Sequence, residues 1–229
     1  MKHKLIVILG PTAVGKTNIA VNLALRFNGE IISADSRQVY NRMDIGTGKD
    51  LDEYNINGIK IPYHLINLVE PTEEFNLFQF QQNFYDSFYK ISESGKLPFL
   101  VGGTGLYIQS ILKDYHLPKV KLNSNRVDEL ESKSLTDLRE ILKNKSSILH
   151  NTTDLKIKER VFKAILIAES DESSRVTPNI DFDSLVIGIE DVRDIIKQNI
   201  TKRLKQRLNQ GMVEEVKALI DEGISYDKL

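Results

Sequence analysis

The chain has 229 residues, of which 41% are hydrophobic and 28% are charged, and its formal net charge is −1. These values predict a globular protein with one sizeable domain, or one domain with a modest insertion, and exclude fibrous and intrinsically disordered proteins. The absence of cysteine excludes disulfides and thiolate metal sites. No run approaches the roughly 18 apolar residues of a membrane helix, so we expect a cytoplasmic protein without a membrane segment.

Short apolar runs alternate with helical patterns along the chain. Continuous apolar runs predict buried strands, and a period of three to four residues predicts helices. Strands are predicted at residues 5–9, 31–34, 97–101 and 185–189, and helices at residues 18–27 and 74–93. This alternation predicts an α/β fold with a parallel sheet, helices on both faces and a ligand site at the carboxyl ends of the strands.

Two segments interrupt this alternation. Residues 114–147 are polar and helical in pattern, which predicts a small helical insertion. The insertion separates a first part of the core, residues 1–113, from its return at residues 148–229. Further on, apolar residues at every fourth position from Val192 to Leu208 predict an amphipathic helix.

A glycine-rich segment, GPTAVGKT, follows the first predicted strand and fits the P-loop pattern GxxxxGK[ST]. In such a loop, backbone N–H groups and the helix N-terminus surround phosphate oxygens. The lysine, here Lys16, contacts the terminal phosphate, and the hydroxyl of Thr17 binds Mg²⁺. The loop predicts a ligand that carries a diphosphate, without identifying it. The candidate ligand-binding residues are Gly10, Thr12, Ala13, Val14, Gly15, Lys16 and Thr17.

An acidic residue, Asp35, directly follows the second predicted strand. In a parallel sheet this position lies at the same edge as the P-loop. Two interpretations remain open for it. Asp35 either forms a turn or caps a helix, or its carboxylate accepts a proton or hydrogen bond from a nucleophile.

Ordered motifs along nearly the whole chain resemble those of the tRNA dimethylallyltransferase family. The P-loop is similar to the family's GPTAxGKT, and residues 35–47 are similar to its DSxQVYxxMDIGT block. Residues 101–107, VGGTGLY, and 211–219, GMVEEVKAL, also resemble family motifs. Residues 62–66, PYHLI, look like its PHHLI segment, with Tyr63 in place of a histidine. The resemblance implies a P-loop NTPase-like fold.

The resemblance also implies a reaction. Dimethylallyl diphosphate, held with Mg²⁺ at the P-loop, gives its prenyl group to the N6 amine of adenine at position 37 of tRNA, next to the anticodon. Because this amine is a weak nucleophile, Asp35 is expected to accept its proton. Lys16 is expected to stabilise the departing diphosphate. Thr104 is expected to hydrogen-bond the diphosphate or the amine, although a helix N-cap role fits its position equally.

The resemblance implies RNA-binding residues as well, and it implies that the insertion at residues 114–147 faces tRNA. The target adenine must leave its stack, and the residues after Asp35 are placed to hold it. Arg160 and Arg203 occupy positions where the family tends to have arginine, and we assign Arg203 to the diphosphate. Asn199 replaces a family arginine. The candidate tRNA contacts are Asp35, Ser36, Arg37, Gln38, Arg126, Arg160 and Lys163.

Other functions remain open from the residues. The chain could transfer prenyl groups to free adenine nucleotides, act as an ATP-dependent small-molecule kinase, or bind diphosphate or RNA without catalysis. The family usually continues for several tens of residues past the position of Leu229, so the resemblance implies that the usual C-terminal region is missing here. We expect a monomer.

Overall fold

The structure is a computed structural model that describes residues 2–115, 117, 124–145, 155–169 and 181–228. Its strands are β1 (His3–Leu9), β2 (Gly29–Ala34), β3 (Asn55–Ile56), β4 (Ile59–Lys60), β5 (Tyr63–His64), β6 (Leu97–Gly102) and β7 (Phe182–Gly188). Among these residues, five parallel strands form a sheet in the order β5-β2-β6-β1-β7, and β3 and β4 form an antiparallel pair. The predicted parallel sheet is confirmed.

The helices separate the strands as the pattern predicts. They are α1 (Lys16–Arg26), α2 (Asp44–Thr47), α3 (Leu77–Glu93), α4 (Gly105–Leu112), α5 (Ser124–Glu131), α6 (Leu135–Lys145), α7 (Lys158–Glu169), α8 (Arg193–Asn209) and α9 (Met212–Asp221). The helix α3 begins three residues later than predicted, because Asn76 and Gln79 form a capping box that starts it. Within the described ranges, no helix has the length and hydrophobicity needed to span a membrane.

The core lies on both faces of the sheet. Neighbouring residues of one strand point to opposite faces, so Ile31 of β2 packs in the cluster that contains α1, whereas Ile32 packs in the cluster that contains α3. Both side chains are fully buried. Phe84 and Phe88 of α3 are also fully buried, as their helical spacing predicts. The expected helices on both faces are therefore present.

The chain divides into two compact units. The first comprises Met1–Tyr115 and Pro178–Leu229, and the second comprises His116–Thr177. The second unit contains α5, α6 and α7, with its own core that includes Leu130, Leu138 and Val161. The predicted insertion covers residues 114–147, whereas the second unit also includes α7, whose apolar residues Val161 and Ile165 share a core with Leu138 of α6.

The fourth predicted strand exists as β7, but it is not buried as expected. Leu185 and Val186 are 58% and 46% exposed. The strand lies at the edge of the sheet and pairs with β1. Similarly, α8 forms where apolar residues at every fourth position predict a helix, yet two of these residues, Leu204 and Leu208, remain exposed. The pattern predicted the elements correctly and their burial incorrectly.

Candidate active site

A cavity of about 350 Å³ lies in the first unit, at the carboxyl ends of the parallel strands. The P-loop, the ends of β2 and β6, the segment that follows α2, and one face of α8 line it. This is the edge where the strand order predicts a ligand site. Polar groups dominate the lining, which suits a charged ligand.

The P-loop has the geometry of an anion site. Gly15 lies at the N-cap of α1 with φ 81°, a left-handed conformation that glycine adopts without strain. Its lack of a side chain leaves the N–H groups of the first helical turn without a side-chain cap, available to a phosphate. Of the predicted loop residues, Thr12, Ala13, Gly15, Lys16 and Thr17 line the cavity. Gly10 and Val14 lie outside its lining.

The ammonium group of Lys16 responds to the charges around it. Burial lowers the pKa of Lys16, nearby Asp35 raises it, and Arg203 lowers it again, with a net lowering. Nζ donates a hydrogen bond to the carbonyl oxygen of Pro11 at 2.6 Å. A partly buried ammonium beside a guanidinium is stabilised by an added anion, so a bound diphosphate would oppose this lowering of the pKa of Lys16.

Asp35 lies at the end of β2, with its carboxylate at the cavity. One carboxylate oxygen accepts a hydrogen bond from the N–H of Arg37 at 2.9 Å. This bond fixes the side chain in its own turn, as one of the two interpretations predicts. Lining the cavity and forming the turn are compatible, because a carboxylate has further acceptor positions.

Thr104 occupies the N-cap position of α4, but its hydroxyl does not cap that helix. Instead, Oγ1 accepts a hydrogen bond from the N–H of Ser36 at 3.0 Å and lies 3.4 Å from Ser36 Oγ. The side chain therefore joins the ends of β6 and β2, where Asp35 begins the next turn. Its contact with a substrate stays a prediction.

The four predicted RNA contacts at residues 35–38 divide into two pairs. Asp35 and Gln38 line the cavity, whereas Ser36 and Arg37 lie outside its lining. Gln38 accepts a hydrogen bond from Ser33 and donates one to the carbonyl oxygen of Gly48, both at 3.0 Å. Gln38 thus connects β2 to the segment after α2.

One face of α8 contributes cationic and amide side chains. Arg203 lines the cavity together with Lys202, Gln206 and Arg207, and its predicted contact with the diphosphate stays a prediction. The sequence analysis did not single out Lys202, Gln206 or Arg207, although positions 199, 203 and 206 are four and three residues apart and therefore lie on one face of the helix. Asn199 also lines the cavity and donates a hydrogen bond to the carbonyl oxygen of Ala13 at 3.2 Å. Through this bond α8 contacts the P-loop directly.

The remaining predicted RNA residues lie on the second unit. Arg126 donates two hydrogen bonds to Glu169, at 2.9 and 2.5 Å, and one to Glu129 at 2.5 Å. These bonds from Arg126, stronger than the opposing burial, lower the pKa of Glu169 to about 2. Arg160 and Lys163 are exposed on α7. The guanidinium of Arg126 therefore bridges α5 and α7, and its role in RNA binding stays a prediction.

The cavity suits a magnesium ion that is held mainly through phosphate. The hydroxyl of Thr17 offers an oxygen ligand at the cavity, and Mg²⁺ prefers oxygen. Among the described residues, no group of three or more histidine, cysteine or acidic side chains could enclose a metal ion. Mg²⁺ is commonly bound by one or two protein groups plus substrate phosphates, which this arrangement fits.

Comparison with known proteins identifies the family. A sequence model described as IPP transferase matches residues 38–228, and one described as isopentenyl transferase matches residues 3–63. The "tRNA dimethylallyltransferase 2" of Phocaeicola vulgatus is 47% identical over all of this chain, which spans 75% of that protein.

Two solved structures are also similar. The full-length tRNA isopentenylpyrophosphate transferase of Bacillus halodurans has a TM-score of 0.67 and 35% identity, over 98% of this chain and 72% of that one. A eukaryotic dimethylallyltransferase described as acting on tRNA has a TM-score of 0.77 and 28% identity, over 96% of this chain and 56% of that one. Since the first model matches well over half of the sequence, the chain belongs to the IPP transferase family.

Proposed function

We propose that this chain transfers the dimethylallyl group of dimethylallyl diphosphate to the N6 amine of an adenine in tRNA. The observation that carries the proposal is that Lys16, Thr17 and Asp35 line one cavity. A diphosphate leaving group needs cations and N–H donors, and a weak amine nucleophile needs a base. The choice of substrates is supported by the relatives, one named a tRNA dimethylallyltransferase and another described as acting on tRNA.

The transfer breaks the bond between C1 of the prenyl group and the diphosphate oxygen, and forms a bond between C1 and adenine N6. The electron pair leaves with the diphosphate, whose charge is stabilised by Lys16 and the N–H groups at the start of α1. Arg203 and Arg207 add positive charge at the same cavity. The proton released by N6 passes to a carboxylate oxygen of Asp35.

Mg²⁺ belongs to the same proposal, with the hydroxyl of Thr17 as the protein group that holds it. When bound, the ion shields the charge of the diphosphate oxygens. We also propose that the protein works as a cytoplasmic monomer, in line with its tRNA substrate.

The test is a transfer assay with labelled dimethylallyl diphosphate, Mg²⁺ and unmodified tRNA, with AMP and ATP as separate acceptors. Asp35→Asn keeps the size of the side chain and removes the base, so we expect transfer to tRNA to fall about 10²- to 10⁴-fold. Binding of dimethylallyl diphosphate should change little. Asp86→Asn, on the exposed face of α3, is the matched control and should retain wild-type transfer.

Each alternative function has its own outcome in this assay. Label on AMP or ATP alone would identify a transferase of free nucleotides. Binding of the diphosphate without transfer to any acceptor would identify a non-catalytic protein. A parallel reaction with ATP labelled at its γ-phosphate tests the kinase, which would transfer this label without use of the prenyl diphosphate.

A further inference from the structure

A carboxylate that the sequence analysis did not single out contacts two arginines of the cavity. Asp50 Oδ2 accepts a hydrogen bond from Arg203 at 2.5 Å and lies 3.4 Å from the guanidinium of Arg207. The three side chains are 36%, 34% and 20% exposed. Both arginines line the cavity, whereas Asp50 lies outside its lining. Asp50 is therefore placed behind the arginines rather than at the ligand.

The backbone holds Asp50 in this place. Asp50 has φ 45° and ψ 49°, a left-handed conformation that is uncommon for a residue other than glycine. It begins the 3-10 turn Leu51–Tyr54, yet its carboxylate does not cap that turn. The residue before it, Lys49, is 1% exposed and donates hydrogen bonds to Tyr40, Asp44 and Asn67. A buried, fully bonded lysine thus fixes the start of the turn and directs the carboxylate to α8.

The same segment leaves room for the second arginine. Gly48 has φ 65°, and a Cβ built on it would lie 1.6 Å from Nη2 of Arg207. A side chain at position 48 would therefore displace this guanidinium. The carbonyl oxygen of Gly48 accepts the hydrogen bond from Gln38. Gly48 therefore leaves space for the guanidinium of Arg207, and Asp50 accepts hydrogen bonds from both Arg203 and Arg207.

We propose that Asp50 is a positioning residue that orients Arg203 and Arg207 toward the diphosphate. The inference rests on the proposed function, because it takes the diphosphate as the ligand of the P-loop. A guanidinium has five N–H donors in a planar fork, so one edge can bind Asp50 while another faces phosphate. Without this carboxylate, Arg203 would repel Lys16, whose pKa it already lowers, and would turn toward solvent.

Removal of Asp50 has two opposite effects on binding. Loss of a negative charge near the phosphates favours the anion, and loss of orientation disfavours it. Asp50 is about one third exposed, and water screens its charge. The loss of orientation therefore outweighs the loss of negative charge, and removal of Asp50 weakens the binding of diphosphate.

The first experiment measures the binding of inorganic diphosphate by calorimetry. We expect Asp50→Ala to raise Kd about tenfold, as for loss of one charge-assisted hydrogen bond. Asp50→Asn keeps one oxygen acceptor and should raise Kd about threefold at most. Asp52→Asn, an exposed neighbour, should leave Kd unchanged. Tighter binding by either Asp50 variant would overturn the proposal, because Asp50 would then compete with the diphosphate for the arginines.

A double-mutant cycle separates positioning from a general effect on folding. In the Arg203→Ala/Arg207→Ala background, Asp50→Ala should change Kd by less than about twofold, since both residues to be positioned are gone. An unchanged tenfold effect in that background would refute positioning. In the transfer assay, Asp50→Ala should raise KM for dimethylallyl diphosphate and leave KM for tRNA unchanged. A wild-type protein that does not bind diphosphate at all would instead refute the proposed function.

Discussion

At the scale of single residues, Glu30 shows how the sheet tolerates a nearly buried carboxylate. Glu30 lies on β2 and is 9% exposed. Lys96 Nζ lies 2.6 Å from one carboxylate oxygen, and His64 Nε2 lies 2.6 Å from the other. Burial raises the pKa of Glu30, but the hydrogen bonds from Lys96 and His64 outweigh it, so the net pKa lies below the ordinary value of 4.5. The ion cluster stabilises the ionised carboxylate.

This lowered pKa predicts a dependence of stability on pH. The unfolded state binds more protons near pH 4, so the contribution of Glu30 is present above about pH 5 and is lost as pH falls through the folded-state pKa. Glu30→Gln should lower the free energy of unfolding at pH 7 by about 1–3 kcal/mol. Urea unfolding at pH 7 and pH 4 measures this dependence, and Glu30→Gln should lose less stability on acidification than the wild type.

The control for this prediction is Glu93→Gln, at the exposed end of α3. It should leave both the stability and its pH dependence unchanged. If the free energy of unfolding fell equally with pH in wild type and Glu30→Gln, Glu30 would not account for the pH dependence of stability.

At the scale of elements, the four-residue helix α2 depends on a side chain from α9. Glu215 accepts hydrogen bonds from the N–H groups of Asp44 and Ile45 at 2.8 Å and of Gly46 at 2.9 Å. The N-cap residue of α2, Met43, has no side chain that could do this. Glu215 therefore serves as the helix cap from a distant part of the chain. Because Thr47 lines the cavity, this contact also shapes the site.

Removal of this cap should affect both stability and transfer. We expect Glu215→Ala to lower the free energy of unfolding by about 1–2 kcal/mol, within the range for lost N-caps, and to lower kcat/KM for prenyl transfer. Glu215→Gln keeps the oxygen acceptor and should lose less. The exposed neighbour Glu214 provides the control, since Glu214→Ala should stay within about 0.5 kcal/mol of wild type. Equal losses in the two alanine variants would argue against a capping role.

At the scale of the whole molecule, the near-zero net charge means that RNA binding must depend on local basic clusters. Arg160 and Lys163 are exposed on α7 of the second unit. If both contact phosphates, the double variant Arg160→Ala/Lys163→Ala should weaken tRNA binding. The slope of log Kd against log salt concentration should fall by about 1–2. Binding of inorganic diphosphate, which belongs to the first unit, should not change.

Lys143→Ala is the control for this prediction, because Lys143 is an exposed lysine on α6 of the same unit. Filter binding at several salt concentrations measures both variants. An equal change of slope in Lys143→Ala would indicate diffuse attraction by the unit rather than specific contacts from α7.

The sequence by itself determined four strands of the parallel sheet and the edge at which the P-loop and Asp35 lie. Apolar runs predicted β1, β2, β6 and β7 but not the two-residue strands β3, β4 and β5. The position of Asp35 directly after β2 placed it at the same edge as the P-loop, because both features depend on local order along the chain. Such local reasoning could not identify the contacts of Asp50, Glu215 and Gly48. Their partners lie on α2 and α8, 153 positions away for Asp50 and 171 for Glu215, and no local pattern indicates which distant side chain will meet them. Burial of β7 and α8 was mispredicted for the same reason: an apolar stripe indicates which face could be covered, and only the packing of the folded chain decides whether it is.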